Sequence, residues 1–69
     1  MPPSEPLHVD ARGMKCPWPA LRAARAMRAA DAVTIEADDP NAAYELEALT
    51  QQQGWKFLAI ATHRFELTR

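Results

Sequence analysis

Three prolines restrict how this chain can fold more than any other residues, because of where they stand. Pro17 and Pro19 open one stretch of helix formers, and Pro40 opens another. A proline lacks an amide hydrogen and has a fixed φ, so it suits the first helical turn, where amides have no intrahelical partner. Ahead of the first pair runs Leu7-His8-Val9-Asp10-Ala11, alternating apolar and polar at the period of a half-buried strand; ahead of Pro40 runs Val33-Thr34-Ile35-Glu36-Ala37, richer in β-branched residues. The chain therefore contains two strand–helix units in series. Trp55–Ala61 and Arg64–Thr68 read as two further strands, joined at Thr62-His63 in a hairpin. Right-handed crossovers make the first pair parallel, and the hairpin adds an antiparallel pair. The expected fold is α+β: a two-layer βαβαββ sandwich, with a four-stranded mixed sheet and two helices on one face.

Size agrees with one domain. At 69 residues the chain has room for one small core, assigned to residues 7–69, with residues 1–6 read as a disordered amino-terminal lead. The lead, Met1-Pro2-Pro3-Ser4-Glu5-Pro6, has neither the basic start nor the apolar stretch of a secretory signal. No apolar run approaches the roughly 18 residues that cross a bilayer. A single cysteine excludes an internal disulfide, and a domain without bridges fits a reducing compartment, so the cytoplasm is expected.

The first helix is read from Pro17 to Ala30, with Pro17, Ala20, Leu21, Ala24 and Met27 as its apolar stripe. Arg22, Arg25 and Arg28 fall on another face, which is either plain solvated surface or a docking patch. Asp31 follows, an acid near a helix C-terminus, where negative charge is unfavourable. The second helix is read with Asp39 as N-cap, Pro40 at the first helical position and Gly54 as its close; Ala42, Ala43, Leu46 and Leu49 form its buried side. The net charge of −1 hides a division: charges from Arg12 to Arg28 are all positive, and those from Asp31 to Glu47 all negative. A near-neutral protein with a basic segment around its thiol suits an acidic protein surface, so no direct nucleic-acid contact is expected.

Cys16, the only cysteine, stands directly before Pro17 and is read as the N-cap of the first helix. There a sulfur faces free amides and the positive end of the helix dipole, both of which favour thiolate over thiol. Lys15 and Arg12 are the local cations. Gly13 supplies a tight turn before the thiol. Asp10 and Arg12 either pair to fix this loop or form a solvated ion pair. Trp18, in the first turn, either shields the sulfur or meets a partner.

Asp10, Arg12, Gly13, Cys16, Pro17 and Pro19 match the pattern D-x-R-G-x-x-C-P-x-P, and Ala37-Asp38-Asp39-Pro40 matches a second common segment, so the chain resembles the TusA-like (SirA/YedF-type) sulfur carrier family. The resemblance spans most of the chain. It implies a cytoplasmic protein of the fold described above, whose cysteine accepts sulfur as a persulfide from a cysteine desulfurase or rhodanese-type donor and passes it to an acceptor protein. Downstream, it implies tRNA 2-thiouridine synthesis, molybdenum cofactor biosynthesis or sulfur oxidation. Two departures stand out: Ala30-Asp31-Ala32 replaces the usual turn before the second strand, and Glu45-Leu46-Glu47 stands where the family often has Asp-Ile-Pro. The second departure implies a straighter second helix.

Other chemistry lacks its parts. Only His8 and His63 are available as bases, one in a strand and one in a turn, so a cysteine hydrolase is disfavoured. One Cys and two distant His do not have zinc-ligand spacing, and there is no phosphate loop or Cys-x-x-Cys, so no metal or cofactor is expected. A lone activated thiol suits a carrier, acting as a monomer through Cys16. Asp10, Arg12, Gly13, Lys15, Pro17 and Pro19 support it, and Trp18, Arg22 and Arg25 meet partners. The alternatives are a regulatory interaction module using the basic helix and Trp18, with the cysteine incidental, and a redox sensor whose thiol is oxidised.

Overall fold

The computed structural model describes residues 6–69. Most of the expected amino-terminal lead, residues 1–5, lies outside the described residues. In order, the elements are β1 (Leu7–Asp10), α1 (Trp18–Ala26), β2 (Ala32–Glu36), α2 (Ala42–Gln53), β3 (Lys56–Ala61) and β4 (Arg64–Thr68). The sheet runs β1-β2-β4-β3, with β1 parallel to β2 and the other two pairs antiparallel. This is the expected mixed sheet with two helices.

Register explains the core. Val9, Ile35, Phe65 and Ala59 stand opposite one another across the four strands, and Leu7, Val33, Leu67 and Phe57 form the next such row. Both rows share a face, because residues opposite in a ladder point the same way. Val9, Val33, Ile35, Phe65 and Leu67 are buried there, and the Phe57 and Phe65 rings stack at 5.8 Å. The intervening residues, including His8, Glu66 and Leu58, form the open face, where Leu58 is 56% exposed. From the helices, Ala23, Ala26, Met27, Ala42 and Leu46 complete the core.

The stripe of α1 differs in phase from expectation, whereas that of α2 keeps Ala42, Leu46 and the half-buried Leu49 and departs at Ala43. On α1 the buried residues are Pro19, Ala23 and Ala26, followed by Met27 at the cap; Ala20 and Ala24 are half-buried, and Pro17 and Leu21 are exposed. An alanine-rich helix carries little phase information, since alanine is tolerated on either face. On α2 the buried set is Ala42, Leu46 and Thr50, while Ala43 is exposed. Thr50 is accommodated because its hydroxyl donates to the Glu47 carbonyl at 2.7 Å.

The helix ends also depart from the sequence reading. Regular α1 stops at Ala26, and the chain continues through turns to Ala29, with Arg28 and Ala29 donating to carbonyls three residues back. No glycine closes it. Instead the Arg69 guanidinium, from the far end of β4, donates to the carbonyls of Met27 and Ala30, supplying partners that the helix end lacks. Arg69 also pairs with Asp31 at 3.3 Å and lies over the Trp55 ring. The acid after the helix thus serves this clamp. Gly54 closes α2 as expected, with φ 77° and with the Trp55 amide returning to the Thr50 carbonyl.

Candidate functional site

The loop from Ala11 to Pro17 leaves β1 beside the junction between β2 and α2. The Ala11 amide donates to the Glu36 carbonyl at 2.8 Å, extending the parallel ladder by one step. Gly13 then turns the chain with φ 81°, in the region that glycine enters at least cost. Its amide donates to Asp38 Oδ1 at 3.0 Å, and the Cys16 amide donates to Asp39 Oδ2 at 3.3 Å. Asp39 Oδ1 meanwhile accepts from the Asn41 amide at 2.7 Å. The two aspartates after β2 therefore hold the thiol loop from across a chain separation of more than twenty residues.

Asp39 was expected to cap α2 directly, with Pro40 as the first helical residue. The regular helix instead begins at Ala42, after a turn closed by the Ala42 amide on the Asp39 carbonyl at 2.9 Å. The Asp39 carboxylate is divided between the Asn41 amide and the neighbouring loop. At the other junction, Pro17 rather than Cys16 occupies the position before α1, and no side chain caps that helix. The Cys16–Pro17 peptide is cis.

Cys16 is exposed, as a reactive thiol must be. Its acidity is opposite to expectation. Sγ donates to Oε2 of Glu45, in the first turn of α2, and this bond raises the thiol pKa above its ordinary value; partial desolvation and the charges of Glu45 and Asp39 act in the same direction. The thiol rests protonated against carboxylates. Lys15 is exposed on the same loop. Arg12 is turned to other work: its guanidinium grips Asp10 through Nε at 2.9 Å and Nη2 at 3.0 Å, and its amide donates to Asp10 Oδ1 at 3.1 Å. That fork lowers the Asp10 pKa to about 2 and raises that of Arg12. Arg12 Nε also lies 3.6 Å from Glu36, whose carboxylate is held below its ordinary pKa chiefly by hydrogen bonds from Arg64. Asp10 and Arg12 thus form an exposed ion pair, their side chains 52% and 62% accessible, with the Arg12 amide also donating to Asp10.

Pro19 is buried under α1, and Pro17 is exposed. Trp18 is 59% exposed, so it does not bury itself in its own domain. Leu21, Arg22 and Arg25 are also exposed on α1, with Arg22 near the Met14 sulfur at 3.8 Å. Tyr44, beside Glu45, is 76% exposed.

Three acidic residues at this site, Asp38, Asp39 and Glu45, escaped the sequence reading as site members. The shared segment Ala37–Pro40 pointed to the aspartates only as helix-start residues. No local pattern marks Glu45, because it meets Cys16 from 29 positions away.

The family model described as Sulfurtransferase TusA matches residues 8–68 of the chain. Among curated proteins, none matches it.

Proposed function

Given that the chain belongs to the TusA sulfurtransferase family, we propose that it carries sulfur as a persulfide on Cys16, loaded by a cysteine desulfurase or rhodanese-type donor and relayed to an acceptor protein. The observation that supports this most is the exposed Cys16 thiol, held at the tip of a loop that Asp38 and Asp39 tie down. The Cys16 sulfur, as thiolate, attacks the outer sulfur of the donor persulfide. A new sulfur–sulfur bond forms, the donor's bond breaks, and the donor cysteine leaves as thiolate with the electron pair. Delivery repeats the exchange, with the acceptor's nucleophile attacking the outer sulfur and Cys16 leaving. No external oxidant is required in either step.

Partners reach the sulfur over Trp18 and the exposed Arg22 and Arg25, which suit an acidic protein surface better than a buried pocket. No helix among the described residues is long and apolar enough to cross a membrane. A monomer in the cytoplasm, where free thiols stay reduced, fits a carrier that must meet a donor and an acceptor in turn. The acceptor pathways that the resemblance offers, tRNA 2-thiouridine synthesis, molybdenum cofactor synthesis and sulfur oxidation, share this thiol step.

The test is intact-protein mass spectrometry after incubation with a cysteine desulfurase and cysteine. One sulfur atom should be added and then removed by reductant, and Cys16→Ser should abolish the gain. If no sulfur donor of either class loads Cys16, the proposal fails.

A further inference from the structure

Three carboxylates surround the Cys16 loop, and their partners set one apart. Asp38 accepts the Gly13 amide, and Asp39 accepts the amides of Cys16 and Asn41, so both are occupied in holding backbone. Among the described residues, Glu45 accepts only from the Cys16 thiol, through Oε2. Its other oxygen, Oε1, is shielded from solvent and has no hydrogen-bond partner among the described residues. Leaving a shielded carboxylate oxygen unpaired is costly, and a structural carboxylate would normally be satisfied at both oxygens. Holding backbone therefore does not account for Glu45, and its one contact is with the reacting sulfur. No other side chain is hydrogen-bonded to the thiol among the described residues: Arg12 is spent on Asp10, and His8 faces Glu36 at 3.9 Å from the open side of the sheet.

Resting on the carrier reading of Cys16, we infer that Glu45 is the proton acceptor and donor of sulfur relay, a catalytic residue in direct contact with the reacting sulfur. On loading, the thiol proton passes from Sγ to the Glu45 carboxylate, and the resulting thiolate attacks the donor's outer sulfur. The donor cysteine leaves as thiolate. A persulfide is more acidic than the thiol it came from, so any proton on the transferred sulfur passes to the departing donor thiolate, and the loaded sulfur is left ionised. A protonated Glu45 then faces it as a neutral hydrogen-bond donor rather than as a second negative charge. On delivery the acceptor's nucleophile takes the outer sulfur, the Cys16 sulfur departs as thiolate, and Glu45 returns its proton to it. The resting pair is restored with atoms and charge balanced. Between turnovers, the same contact keeps the thiol protonated and therefore slow to react with stray electrophiles.

The charged groups that bear on the sulfur are Glu45 from α2 and Asp39 from the junction before α2; Asp38 is on the Gly13 amide, Lys15 is exposed on the loop, and Glu45 is the one hydrogen-bonded to Sγ among the described residues.

Glu45→Gln keeps the shape and an oxygen acceptor but cannot hold the proton, so it tests this assignment. Two readouts are needed: the pH dependence of Cys16 alkylation by iodoacetamide, and single-turnover transfer of sulfur from the desulfurase-loaded protein to a small thiol, also against pH. In Glu45→Gln, alkylation at neutral pH should rise roughly tenfold, because the variant removes the charge that holds the proton on the thiol. Sulfur delivery should slow about a hundredfold, the low end for loss of a general acid, and its pH profile should lose the limb set by the carboxylate. Glu45→Asp, which retains the acid, should recover part of the delivery rate. If the unsubstituted protein and Glu45→Gln both load with sulfur while their alkylation and delivery profiles superimpose, this proposal is overturned and the carrier reading stands. If the unsubstituted protein takes up no sulfur, the carrier reading falls and takes this one with it.

Discussion

The two strand-to-helix junctions are built on one plan and put to opposite uses. Each leads from a strand paired in the same parallel ladder, turns within a few residues and enters a helix behind a proline. Neither helix has a side-chain cap, and the first junction, Ala11–Pro17, exposes its thiol. The second, Ala37–Asn41, has carboxylates to spare: Asp38 and Asp39 satisfy amides of the first junction, and Asp39 also satisfies its own. One junction presents the chemistry and the other holds it in place. The contrast teaches that the charge around Cys16 is set by the neighbouring unit rather than by its own helix. A helix terminus favours an anion only when the sulfur faces the free amides, and here Sγ faces Glu45 instead.

The largest break in this arrangement should come from beneath it. Leu46 is fully buried one residue from Glu45, so Leu46→Ala should cost about 2–5 kcal/mol in urea unfolding. For a domain this small that is a large share of the total stability. Leu21→Ala, at a site 51% exposed on α1, should cost less than about 0.5 kcal/mol. Equal effects at the two sites would mean that α2 is not the element anchored in the core beneath the site.

Asp39→Ala should be next. It strips the acceptor from the Cys16 and Asn41 amides, with an expected loss of about 1–2 kcal/mol, and it lowers the Cys16 pKa by removing a nearby negative charge. A stability loss without any change in the pH dependence of alkylation would separate the two junctions electrostatically and weaken the comparison.

These effects show where sequence reasoning reached and where it stopped. Four strands, two helices and the terminal hairpin were legible because their signals are local: alternation in Val33–Ala37, proline ahead of each helix, glycine behind α2. So were Cys16 and the tightly turned Gly13. The end of α1 was not, because its carbonyls are met by Arg69, about forty residues on in the sequence. The stripe of α1 was misphased because Ala20, Ala23, Ala24 and Ala26 differ in burial but not in kind. The acidity of Cys16 was reversed because the cations nearest in sequence, Arg12 and Lys15, are not the groups nearest the sulfur. Arg12 closes on Asp10, and the carboxylate comes from α2.

Smaller effects sharpen the same picture. Gly13→Ala and Gly54→Ala should each cost about 1 kcal/mol, from the positive φ alone, since a methyl group at either position meets nothing within 4 Å. Only Gly13→Ala should also disturb Cys16, because only that glycine's amide is held by Asp38. The slightest expected effect is at Asp10. Its folded pKa, about 2, lies below the unfolded value, so its pairing with Arg12 contributes stability above about pH 4 that fades as pH falls towards 2. Acid unfolding of Asp10→Asn followed by circular dichroism should lack that component, and an unchanged acid transition would show that the fork does not stabilise the loop.

The most direct test of how this site is built is the titration of Cys16 itself, followed by NMR through the shift of its labelled Cβ. With Glu45 against the sulfur, the midpoint should lie above the ordinary cysteine value of about 8.5. A midpoint in the range of roughly 3.5–7.5, typical of thiols activated at helix N-termini, would contradict it.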